Sequence, residues 1–116
     1  MTFLDIASEA RGNAWVIHLK GFLDVHTHDM LRETIKEHVS HGRIFILLDL
    51  EQLTYIGSSG IEVILSTVQP LRDKGGDLVL TGMSPKIFKV FDLLGLPALL
   101  TIRPTLEEGL QAFPKP

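Results

Sequence analysis

The 116-residue chain contains no cysteine. That excludes disulfide staples, thiolate nucleophiles and cysteine-bound metal. Long apolar runs are also missing. The longest, "IFILL", falls far short of the roughly 20 residues that a membrane-spanning helix needs. The opening "MTFLDIASEARG" carries an early acid and no apolar core, so a secretory leader is not expected. Together these absences point to a soluble, cytoplasmic protein without a membrane partner. No basic block occurs, and the net charge is −3. A phosphate-backbone footprint is therefore missing, and nucleic acid is not an expected partner. No repeat or low-complexity segment interrupts the chain. Its length suits one domain over residues 1–116, large enough to bury a core.

Hydrophobic spacing outlines the elements. "TFLDIASEA" reads as a strand, Gly12-Asn13 as a turn, and "AWVIHLKG" as a half-buried strand with Trp15, Ile17 and Leu19 on one face. The two form an antiparallel hairpin. In residues 26–42, Leu31, Ile35 and Val39 recur every fourth position between charges, which predicts an amphipathic helix ended by Gly42. "RIFILLDL" reads as a strand covered on both faces. Ile61, Ile64, Leu65, Val68 and Leu71 trace a second helix, whose last turn Pro70 is expected to kink or shorten. "DLVLTGM" is a further buried strand. Ser84-Pro85 opens a third helix with a stripe of Ile87, Val90, Phe91 and Leu94, closed by Gly95. "ALLTIR" reads as a last strand, and Thr105 to Glu108 has the spacing of a capping box for a terminal helix. The order β-β-α-β-α-β-α-β-α predicts an α/β fold: a mixed, mostly parallel sheet with an N-terminal antiparallel hairpin and about four helices.

The junction "YIGSSGI", residues 55–61, is the chemically unusual stretch. Two hydroxyls fenced by glycines sit between a buried strand and an amphipathic helix. A nucleophile elbow needs a second glycine where Ile61 stands, and all five histidines precede the serines, the reverse of hydrolase order. A phosphate-binding loop needs a lysine that is absent here. Catalysis is therefore not expected, and no cofactor is implied. A serine acting as helix cap explains one hydroxyl. The other stays open, at the carboxyl end of a parallel strand where α/β sheets place their sites. A helix N-terminus also tolerates a phosphate, through its free N–H groups and its dipole. Among the histidines, the pairs His26/His28 and His38/His41 read as solvated side chains rather than a metal site. Trp15 and Phe91 read as packing residues, and Phe88 as a margin of the core.

Three stretches carry a family resemblance that covers nearly the whole chain. They are "LKGFLDV" at 19–25, "ILLDLEQLTYIGSSGIEVIL" at 46–65 and "GGDLVLTGMSPKIFKVFDLLGL" at 75–96. The chain resembles the STAS domain, shared by bacterial anti-sigma factor antagonists and the cytoplasmic tails of sulfate transporters. The resemblance implies a non-enzymatic regulator that binds an anti-sigma factor serine kinase and so releases a sigma factor. It implies phosphorylation at Ser58 as the off-switch, and a separate serine phosphatase to reverse it. By the same match Ser59 is the acceptor's neighbour, Gly60 the helix-entry glycine, and Asp24 the acidic residue nearby. Asp24, Gly57, Ser58, Ser59, Gly60 and Ile61 form the implied partner-binding set. The family loop usually reads D-S-S-G, and Gly57 stands here in the place of its aspartate. Some STAS domains serve as constitutive subunits of transporters or larger complexes without a phosphate switch, which is the alternative implied role.

Overall fold

A computed structural model describes residues 3–115. Strands β1 (Leu4–Arg11) and β2 (Ala14–Leu23) form the expected antiparallel hairpin, with Leu4 opposite Gly21 and Arg11 opposite Ala14. The expected start of the first strand at Thr2 lies outside the described residues. There follow α1 (His28–Ser40), β3 (Phe45–Ile56), α2 (Ser58–Asp73), β4 (Asp77–Thr81), α3 (Pro85–Leu93), a 3-10 turn at Leu96–Ala98, β5 (Thr101–Arg103) and α4 (Leu106–Leu110). The five strands lie side by side in chain order, and every pair after the hairpin is parallel. Each crossover advances by one strand in the same direction. Right-handed connections then put α1, α2 and α3 on one face of the sheet.

That face holds the main core. Ile17, Leu19, Ile46, Leu48 and Leu80 of the sheet pack under Leu31, Ile35, Ile64, Val68, Leu71 and Phe91 of the helices. A smaller cluster on the other face joins Val16, Leu47 and Val79 to Phe113, with Leu106 and Leu110 of α4 against it. Because α4 is short, the β1–β2 side of this face stays open and polar. Helices α1 and α2 end alike: Gly42 and Gly75 take φ of 76° and 87°. The N–H that follows each glycine turns back to a carbonyl of the helix's last turn, Arg43 to His38 and Gly76 to Leu71 at 3.1 and 2.8 Å.

Several expectations need correction. Strand β3 runs six residues past Leu50, because the same backbone continues to pair with β2 as far as Leu23↔Ile56 across two register shifts. β4 stops at Thr81, and β5 begins only at Thr101, because residues 96–98 coil into the 3-10 turn. Pro70 does not shorten α2, which continues to Asp73. Leu65, Val90 and Leu94 belong to the periodic stripes yet are 39%, 36% and 58% exposed, and Phe88 is exposed rather than in the core. The sheet is narrow over β4 and β5, so α3 buries only Ile87 and Phe91. Ser84 caps α3 as expected, accepting from the Ile87 N–H at 3.2 Å, and Thr105 caps α4 by accepting from Glu108 at 3.1 Å.

Two histidines are built into the fold, and for His38 this overturns the expectation of a solvated side chain. His38 is buried, and its Nδ1 faces the Arg43 guanidinium at 3.2 Å. Arginine only donates, so Nδ1 accepts and the ring proton sits on Nε2, aimed at Ser8 Oγ 3.0 Å away. The ring also leans on Trp15, with Arg43 stacked 3.8 Å from the indole centroid. Burial, then the arginine charge, hold the His38 pKa below its ordinary value. His18 is the opposite case. It lies on the open polar face between Asp49 and Glu9, at 2.7 and 3.0 Å from its two nitrogens. Only the cation donates to both carboxylates. Partial burial pulls its pKa down, but the hydrogen bonds and charges of Glu9 and Asp49 outweigh it and leave the pKa raised.

The two shifts act in opposite directions on stability. A lowered His38 pKa means that stability is lost as pH falls below about 6.5, where the unfolded chain takes up the proton first. A raised His18 pKa adds stability that is full below about 6.5 and fades as pH rises through the folded value. Urea unfolding at pH 5.5, 6.5 and 7.5 (chosen to span roughly one unit either side of free imidazole) separates them. His18→Gln is expected to lose stability on acidification more steeply than wild type. An identical pH slope in the two proteins contradicts this assignment.

Candidate functional site

The serines stand where β2, β3 and two helix starts converge. The Gly57 N–H donates to the Leu23 carbonyl at 2.9 Å, the last contact between the ends of β3 and β2. Immediately after it the chain enters α2, with Gly57 as N-cap and Ser58 and Ser59 in the first turn. The expected serine cap is not formed. Gly57 has φ −104° and ψ 178°, the extended cap conformation, and having no side chain it offers no capping oxygen. The N–H groups of Gly60 and Ile61 return to the Gly57 carbonyl, each at 3.1 Å. Those of Ser58 and Ser59 have no acceptor among the described residues, as the first turn of a helix requires. Neither serine hydroxyl is hydrogen-bonded among the described residues. Ser58 is exposed and Ser59 half-buried.

The facing loop is tightly knotted. Thr27 Oγ1 donates to the Phe22 carbonyl at 2.7 Å and accepts from the Asp24 N–H at 2.9 Å. Asp24 Oδ1 accepts from the backbone N–H of His26 at 2.9 Å. The N–H groups of Thr27 and His28 close back on the Asp24 carbonyl. Asp24 is only 9% exposed, so its carboxylate acts first as the internal brace of this turn. Between the loop and the serines lies a cleft of about 400 Å³. Phe22, Tyr55, Val25 and His26 line it together with Asp24, Gly57, Ser58 and Ser59. The Phe22 and Tyr55 rings are tilted against each other 6.1 Å apart.

Of the implied partner-binding set, the structure brings Asp24, Gly57, Ser58 and Ser59 to one cleft. Gly60 and Ile61 are buried beneath it. A Cβ on Gly60 would lie 2.6 Å from Leu23 Cγ and 3.2 Å from Ile56, so this glycine lets α2 press onto the ends of two strands. Ile61 is 8% exposed and belongs to the core. Sequence reasoning missed Tyr55, Val25, Phe22 and His26. Tyr55 and Val25 are 47% and 67% exposed beside Ser58, and large apolar residues flanking a glycine-rich loop were the available signal.

Serine, histidine and aspartate share the cleft, but they form no catalytic relay. Asp24 holds the backbone of His26, not its ring, and the ring hydrogen-bonds neither serine. Among the described residues no cluster of histidine and acids has metal-binding geometry. No helix among the described residues is long and apolar enough to cross a membrane. An exposed hydroxyl at a helix start, rimmed by apolar side chains, suits recognition by another macromolecule.

Comparison with known proteins places this architecture. The STAS domain family matches residues 5–109, and the chain belongs to that family. It is 31% identical over 100 residues to the anti-sigma F factor antagonist of Paenibacillus polymyxa, covering 85% of this chain and 86% of that protein. It is 27% identical over 95 residues to the anti-sigma-B factor antagonist of Bacillus subtilis, covering 82% and 86%. The fold matches the crystal structure of an anti-sigma factor antagonist from Mycobacterium paratuberculosis with TM-score 0.87 at 23% identity, over 95% of this chain and 93% of that one. The phosphorylated form of the Bacillus cell fate determinant SpoIIAA superposes with TM-score 0.71 at 28% identity, over 93% and 98%. These relatives are regulators, not enzymes.

The space around Gly60 yields a direct test. Gly60→Ala is expected to destabilise the fold by about 1–3 kcal/mol, because a methyl group must displace buried Leu23. Chemical denaturation measures it, and a loss below about 0.5 kcal/mol, the usual range for a surface change, shows that the junction is not closely packed.

Proposed function

We propose that this chain is an anti-sigma factor antagonist. Unphosphorylated, it binds an anti-sigma factor serine kinase and frees a sigma factor; phosphate on Ser58 ends that binding, and a separate serine phosphatase restores it. The observation that carries the reading is the exposed, uncommitted Ser58 hydroxyl in the first turn of α2, beside exposed Val25 and Tyr55. The hydroxyl is accessible to a kinase, and the apolar rim suits a docked partner. The relatives' names, and the phosphorylated state of one of them, support it.

The physics of the switch follows from position. Phosphate adds about −1.5 to −2 charges and a strongly hydrated group. Within the free protein the neighbouring Ser58 and Ser59 N–H groups and the helix dipole accommodate it. Against a docked partner, hydrated charge replaces a neutral hydroxyl, and each ~1.4 kcal/mol of lost binding is tenfold in affinity. Catalysis belongs to the partners: the kinase transfers the γ-phosphoryl group of ATP to the Ser58 oxygen, and the phosphatase hydrolyses the ester.

Mass spectrometry of the chain after incubation with its co-purified native partner and ATP is the test. Wild type is expected to gain one phosphate on Ser58, and Ser58→Ala none. Because Ser58 makes no cap hydrogen bond, the alanine variant is expected to keep its stability within about 0.5 kcal/mol. A bare Ser58 in a stable, ATP-supplied complex favours the constitutive-subunit reading instead.

Gly57 tunes the same site. Its φ is negative, and a Cβ there would make ordinary contacts of 3.4 Å with Tyr55, so aspartate fits without strain. Gly57→Asp supplies the missing capping oxygen. It is expected to stabilise the protein by a few tenths of a kcal/mol and to raise the initial rate of Ser58 phosphorylation. A stable variant phosphorylated no faster shows that the aspartate is not what the kinase reads.

A further inference from the structure

A second cavity, toward the opposite end of α2 from the serines, has a chemistry of its own. It is a groove of about 410 Å³ between α1 and α2, in the size range of small-molecule sites. Its floor is apolar: Ile35 and Leu71 are 4% and 1% exposed, and Val39 is half-buried beside them. Pro70 forms part of the wall. Ser66 and Thr67 spend their hydroxyl protons on the Val63 carbonyl, at 3.0 and 2.7 Å. The charged residues around the groove are Arg32, Lys36 and Lys74, and no carboxylate lines it. Asp29 engages Arg32, and Glu33 approaches Lys36 only to 4.0 Å. Lys74 makes no ion pair among the described residues. Its place at the end of α2 complements the helix dipole, which leaves its charge without a carboxylate partner.

We propose that this groove binds a small amphiphilic carboxylic acid. The apolar chain lies over Val39 and Pro70, and the carboxylate pairs with Lys74. Lys74, the cation at the groove with no ion-pair partner among the described residues, is complementary to such an anion in a protein of net charge −3. Each helix contributes a stretch of about 12 Å, Arg32 to Ser40 and Ser66 to Lys74, at ~1.5 Å per residue, which suits a medium-length acyl chain. The recessed floor argues against a bilayer, which needs a projecting apolar face.

The test titrates the isotopically labelled full chain with sodium octanoate, with 1-octanol as the uncharged control, and follows amide chemical shifts. Saturable shifts confined to α1 and α2 are expected. Octanol is expected to bind at least fivefold more weakly, and so is octanoate to Lys74→Glu, with folding of the variant checked by thermal melting. Val39→Trp, which fills the groove, is expected to abolish the shifts. If that variant does not fold, Lys74→Glu and the octanol comparison decide alone. Absence of saturation, equal affinity for octanol, or shifts centred outside the groove overturns the proposal. So does co-sedimentation with phosphatidylglycerol vesicles in a protein that ignores octanoate.

Discussion

The hydrogen bond from the Gly57 N–H to the Leu23 carbonyl is the constraint on which the geometry of the candidate site depends. It is the last contact between two parallel strands, and it fixes where both chains leave the sheet. From Leu23 the chain enters the Asp24–Thr27 knot and α1. From Gly57 it enters α2. The bond thus brings two helix starts, and one exposed serine, to a common edge. Gly60 completes the arrangement, since any side chain there would collide with Leu23 and lift α2 from the sheet.

This convergence gives Asp24 a role that its sequence context conceals. Acidic and nearly buried, it braces the loop by holding the His26 N–H, with Thr27 Oγ1 3.3 Å from the same oxygen. What the loop presents outward is apolar, Val25 above all. The face around Ser58 therefore combines a neutral hydroxyl, free backbone N–H groups and exposed side chains of Val25 and Tyr55. On the proposed reading, such a face docks a partner while uncharged and loses it when charged. A reaction centre would need the His26 ring turned to Ser58 and Asp24 released from its turn.

The fold was largely legible because its signals are local. Alternation in β2, the fourfold spacing of Leu31 and Ile35, and the Ser84-Pro85 start each reflect one element against one core. The errors arose where tertiary context decides. Residues 51–56 look like a loop after "ILLDL", yet β2 extends alongside them and keeps them in the sheet. Val90 and Leu94 keep helical period over a part of the sheet too narrow to cover them. His38 looked solvated because nothing in its neighbours reveals Ser8 and Arg43 converging on its ring. At the site, the position of Ser58 was legible from the strand-to-glycine-to-helix pattern. The missing cap was not: glycine takes the cap position and both serines fall inside the helix.

The central claim is that charge on one oxygen governs association. The direct measurement is the dissociation constant of the purified native anti-sigma partner for the unphosphorylated chain and for the same chain phosphorylated at Ser58, by calorimetry at matched ionic strength. The account predicts tight binding of the first and at least a tenfold weaker complex with the second, a difference of ~1.4 kcal/mol or more. Equal dissociation constants would contradict it.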